Sequence, residues 1–133
     1  MNASWNALRF ALVVGFLTTN VVAVPGVFTP APVVELLGAR PPTEPIWPAF
    51  AFLLTFLTSW FFIAAAINPP GNPMTIRLSI AARFVWAAFW YCGYPSFERG
   101  SSPWWWIVEL AFGVVQFGLL LLAQRIPSLP TTE

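Results

Sequence analysis

Four long apolar stretches run along the 133-residue chain, each bounded by proline, charge or tryptophan. A helix that crosses the hydrocarbon core of a bilayer needs roughly 20 mostly apolar residues, with a range of about 17–25. The pattern predicts helices over about residues 8–24, 48–67, 75–94 and 103–124. The first starts beside Trp5 and Arg9 and is expected to stop at Pro25-Gly26. Its Thr18-Thr19-Asn20 interruption, with no A-x-A site after it, favours a retained helix over a cleaved signal peptide. Pro48 suits a first helical turn, where its missing N–H costs nothing. The run Asn68-Pro69-Pro70-Gly71-Asn72-Pro73 ends the second helix, because a residue before proline avoids helical geometry. The third ends at Pro95 and the fourth before Pro127.

In lipid every backbone polar group must be satisfied within the chain, so spans of this length read as helices. The expected class is all-α: a four-helix transmembrane bundle forming one integral membrane domain over residues 1–133, with both termini on one side. Arg9, Arg77 and Arg125 fall on the terminal side and Arg83 lies nearer to it, whereas Arg40 and Arg99 fall opposite. The positive-inside rule then puts both termini in the cytoplasm. The longest connection, residues 25–47, contains Val33-Val34-Glu35-Leu36-Leu37 between Pro32 and Gly38. Residues 32–38 read equally well as a short interfacial helix or as a covering loop, since helices that short are marginal alone.

Composition narrows the function. The chain is 58% hydrophobic and 8% charged, against about 25% charged in soluble domains. Disorder is excluded too, because it requires low hydrophobicity. A net charge of +1 offers no basic footprint for nucleic acid. With no His, the usual ligand of metals, haem and chlorophyll is missing. The single Cys92 cannot form an intramolecular disulfide. No paired carboxylates, Ser-His-Asp set or phosphate loop is present, so no catalytic or metal-binding residue is assigned and no cofactor is predicted, with quinone or lipid left open.

Two ionisable residues fall inside predicted spans, Arg83 and Glu109. Such groups are expensive in a bilayer and usually functional. Trp86 and Trp90 are the expected cation–π partners of Arg83. Glu109, Gly113 and Gln116 share one stripe of the fourth helix by i+4 and i+7 spacing, and Gly113 admits a close neighbour. Arg83 and Glu109 are separated by roughly 10 Å along the bundle axis. Their side chains lean toward opposite interfaces, which favours snorkelling over a direct ion pair. Gln116 is the cheaper hydrogen-bond partner for Arg83. These five residues, Arg83, Glu109, Gln116, Trp86 and Trp90, are the candidates for contact with a ligand or partner.

Other positions read as structural. Ala51, Thr55 and Ser59 form a small-xxx-small stripe suited to helix packing. Trp5, Trp47, Trp104, Trp105 and Trp106 lie at predicted helix ends and read as interfacial anchors. A pigment or partner platform at the Trp104-Trp105-Trp106 run is the less favoured reading.

From Trp5 to Leu122 the layout resembles the DoxX-like group of small bacterial four-helix membrane proteins. The resemblance rests on an external loop with Glu35-Leu36-Leu37-Gly38, a second helix ending in Ala66-Ile67-Asn68-Pro69, and Arg77 leading into a third helix that carries Arg83. It implies a bacterial inner-membrane protein, in some members tied to quinone-linked sulfur oxidation or redox-stress complexes, and it transfers no catalytic residue.

The leading expectation is a non-catalytic accessory subunit of a bacterial inner-membrane complex, in contact with lipids and with other subunits or copies of itself. The alternatives are the membrane subunit of a quinone-linked oxidoreductase, which requires Arg83 or Glu109 beside an apolar cleft, and a lipophile carrier with a cleft open to the bilayer.

Overall fold

The computed structural model describes residues 3–41, 43–92 and 105–125. They form five α-helices: α1 (Ala3–Phe28), α2 (Pro30–Leu36), α3 (Ile46–Ile67), α4 (Pro73–Cys92) and α5 (Trp105–Arg125). The expected helix ends at Tyr94 and Pro103, and Trp104, lie outside the described residues. Three helices, α1, α3 and α5, are long and apolar enough to cross a membrane, which suggests a membrane protein. Four such spans were expected. The 20-residue α4 is not among the three, because Arg77, Arg83 and several hydroxyl residues lower its hydropathy.

Helix α1 runs past Pro25 to Phe28 instead of stopping there. An internal proline forfeits one helical hydrogen bond. The turn that follows is held by the Pro25 carbonyl, which accepts from the Thr29 N–H at 2.7 Å and from the Thr29 hydroxyl at 3.0 Å. At the next position a glycine is required, because the Phe52 ring of α3 occupies the space a Cβ would need.

The residues between α1 and α3 do form a short helix, α2, beginning two residues earlier than expected at Pro30. Proline in the first turn suits a helix start. Gly38 ends it with φ of 78°, a left-handed position that favours glycine. The accompanying bonds run from Gly38 N–H to Glu35 O at 2.8 Å and from Ala39 N–H to Val34 O at 3.0 Å. Val33 and Leu37 are buried, while Glu35 and Leu36 face outward.

Helix α1 packs on α3 and α5, α4 packs on α5, and the α3–α4 contact is sparser. One apolar core joins Leu8 and Leu12 of α1, Phe62, Ala65 and Ala66 of α3, Ile76 and Ile80 of α4, and Leu120 of α5. The outer surface is dominated by large apolar side chains such as Phe10, Val21, Phe61, Val85 and Leu122. The buried set, by contrast, includes Ser59, Ser79, Arg83, Glu109 and Gln116. A soluble protein cannot expose so much apolar surface without a partner; lipid is the solvent that suits this distribution.

A tight turn connects α3 to α4. The Gly71 N–H donates to the Asn68 carbonyl at 3.1 Å, the Asn72 N–H to Pro69 O at 3.3 Å, and the Asn72 side-chain amide to Asn68 O at 2.9 Å.

Candidate functional site

Arg83 is 4% exposed and sits on the inner face of α4. Its Nη1 donates to Oε2 of Glu109 on α5 at 2.6 Å, with both side chains buried. The expected snorkelling is therefore replaced by a direct ion pair. Glycine explains the closure. A Cβ on Gly113, one turn beyond Glu109, would lie 3.3 Å from both Arg83 Cβ and the Phe84 ring. This close α4–α5 approach shortens the lateral distance, so two long side chains overcome their opposed leanings.

The second arm of the guanidinium reaches α1. Nη2 donates to the Gly15 carbonyl at 3.0 Å and to the Thr19 hydroxyl oxygen at 3.2 Å. The Thr19 hydroxyl in turn donates to Gly15 O at 2.8 Å. A Cβ on Gly15 would stand 2.9 Å from Arg83 Nη2 and 3.0 Å from Gln116 Nε2. Gly15 thus admits both polar groups to the α1 backbone. Gln116 does not take up Arg83 as expected; its amide donates to the Ala11 carbonyl at 3.2 Å. The rings facing the guanidinium are Phe62 at 4.6 Å and Phe112 at 5.2 Å, in the role expected of Trp86 or Trp90. Among the described residues, Arg83 Nε, Gln116 Oε1 and Asn20 Oδ1 are buried with no hydrogen-bond partner.

Gly15 and Thr19 were not singled out as site residues by sequence reasoning. A signal for them exists: Ala11, Gly15 and Thr19 recur every four residues, the small-xxx-small spacing of close helix contact.

Beside the ion pair lies a cavity of about 570 Å³ between α3 and α4, with Val34 and Leu37 from the α2 segment among its walls. Its apolar lining includes Phe52, Phe61, Leu78 and Phe89, and its polar groups include Arg83 and Glu109. Trp86 and Trp90 stack at 6.5 Å between ring centroids and both line it, as does Trp105. Of the expected packing stripe, Ser59 is buried and accepts from the Asn20 amide at 2.9 Å, joining α1 to α3. Ala51 and Thr55 face the cavity instead, because α4 does not close against them.

The predicted anchors divide. Trp47 is exposed near the start of α3, whereas Trp5 is half-buried against the apolar core. Trp106 meets Tyr91 edge-on at 5.3 Å, and Trp105 serves the cavity. Among the described residues no group of His, Cys, Asp or Glu is placed to hold a metal. Compared with known protein families, curated proteins and solved structures, the chain matches none.

Proposed function

We propose that this chain is a membrane protein that holds a lipophilic molecule in the cleft between α3 and α4. The observation that carries the reading is the coincidence of an apolar cavity of about 570 Å³ with a buried Arg83–Glu109 pair on its wall. Small-molecule sites are concave, mostly apolar and about 300–1,000 Å³, with a few polar groups that orient the ligand. An intramembrane ion pair is costly and calls for a function. The cleft separates two helices whose outer faces are apolar, so entry is lateral, from the hydrocarbon.

In this reading α4 is a fourth span, tolerable in lipid because Arg83 is neutralised inside the fold. In this reading both termini lie in the cytoplasm, supported by the arginine distribution, and the bacterial inner membrane is the location that the DoxX-like resemblance implies. The accessory-subunit reading draws on the lack of reactive chemistry and has no need of a cleft. A quinone-linked role would use the same cavity, with quinone as its occupant.

The test is extraction of the protein from its own membrane in mild detergent, followed by native mass spectrometry and analysis of the organic extract. The expected result is a lipophile retained in stoichiometric amount and lost in Ala82→Phe, which fills the cavity wall and leaves the ion pair intact. A defined particle with other subunits and no retained lipophile favours the accessory role. Retention unchanged in Ala82→Phe overturns the assignment to this cleft.

A further inference from the structure

Resting on that reading, we infer that the occupant is an electrically neutral lipophile whose head donates a hydrogen bond: a long-chain or polycyclic alcohol, and not a fatty-acid or phosphate anion.

The charge balance is the first argument. Among the described residues that line the cavity, the ionisable ones are Arg83 and Glu109, and they neutralise each other across 2.6 Å. The remaining polar side chains of the lining are neutral: hydroxyls and the indoles of Trp86, Trp90 and Trp105. An anionic head would add an uncompensated charge beside the Glu109 carboxylate in an apolar surround, where unpaired charge is most costly. A cationic head would meet the same difficulty at Arg83.

The direction of the hydrogen bonds is the second. Six hydroxyl side chains line the cavity: Thr19, Thr55, Thr58, Ser59, Thr75 and Ser79. Five of them donate their proton to a carbonyl of their own helix, at 2.8 Å for Thr19 to Gly15, 2.9 Å for Thr55 to Ala51, 2.8 Å for Thr58 to Leu54, 2.6 Å for Ser59 to Phe56 and 2.8 Å for Ser79 to Thr75. A hydroxyl has one donor and two acceptor sites. With the donor engaged, what these groups offer is lone pairs. The Thr19 and Ser59 oxygens already accept, from Arg83 and Asn20. Thr55, Thr58 and Ser79 supply acceptors, as does the Glu109 carboxylate. A carboxylate or phosphate head is itself a pure acceptor and finds lone pairs facing lone pairs. An O–H head is complementary to these hydroxyl oxygens.

The cavity tryptophans provide the readout. Bromine quenches indole fluorescence, and Trp86, Trp90 and Trp105 line the site. The full chain in neutral detergent is titrated with 12-bromododecanol, methyl 12-bromododecanoate and 12-bromododecanoate at pH 9, probes that share a chain and differ in the head. The expected result is saturable quenching, with the alcohol binding at least tenfold more tightly than the carboxylate and more tightly than the ester. Carboxylate binding as tight as the alcohol's overturns the inference while leaving a lipophile site in place. No saturable quenching by any of the three overturns the site and this inference together.

Glu109→Gln removes the negative charge beside Arg83, and carboxylate affinity is then expected to rise at least tenfold; no rise counts against the charge argument. Should that variant fail to fold, Ser79→Ala keeps the ion pair and removes one acceptor. It is expected to narrow the alcohol's advantage over the ester severalfold, and an unchanged ratio counts against the acceptor argument.

Discussion

The two seams of α3 differ in how closely the helices meet. Against α1, small residues let the helices approach: Ala23 and Gly26 of α1 are buried, Phe52 lies over the Gly26 backbone, and Ala65 and Ala66 join the core. Against α4, Phe61 and Phe62 of α3 and Leu78, Trp86, Phe89 and Trp90 of α4 line a cavity together with the smaller Ala51, Thr55, Ser79 and Ala82. Both seams are apolar, so hydrophobicity does not distinguish them. In lipid, where tails are as apolar as leucine, helices associate through close packing and interhelical hydrogen bonds. The α1 seam has both, including the Asn20–Ser59 bond. The open seam leaves a space of about 570 Å³.

The contrast can be broken most strongly where the seams meet, at Arg83. Arg83→Leu leaves Glu109 buried without its partner and should cost about 3–5 kcal/mol, measured by unfolding in detergent. Arg83→Leu with Glu109→Leu should cost less than the sum of the single changes, because the double variant buries no unpaired charge. A smaller loss is expected at the tight seam. Gly26→Leu drives a side chain into Phe52, and overpacking of this kind costs about 1–3 kcal/mol. Ala82→Phe at the open seam should change stability by less than about 0.5 kcal/mol, the range of substitutions that disturb no packed feature, while abolishing ligand retention. The smallest effect is expected from Thr58→Val. The Thr58 hydroxyl bonds within its own helix, and such back-bonding contributes little to stability, so the melting temperature should stay unchanged.

Much of the fold is legible along the chain because apolar length and proline punctuation are local properties. The Asn68–Pro73 stop follows from them, whereas residues 32–38 read equally as helix or loop, and only the structure decides for the helix Pro30–Leu36. The run of α1 beyond Pro25 does not follow either, since it depends on the bonds Thr29 makes back to the Pro25 carbonyl. Arg83 and Glu109 stand out by residue type alone. Their pairing depends on how near α4 comes to α5, which Gly113 sets, and on the receiving groups at Gly15 and Thr19. The cavity was the least legible feature. It is bounded by aromatic residues that a sequence reading assigns to lipid, and it exists because two faces fail to meet.

The Asn68–Asn72 turn has a mechanical consequence for that gap. Two prolines and four hydrogen bonds fix the α3–α4 spacing at one end. From there the two helices extend as the arms of a pair of tongs, each about 30 Å long by the helical rise. Opening the far ends by 1 Å takes about 2° of tilt at that length, so under the proposed function a change of girth in the bound molecule would call for only a small rotation about a stiff joint.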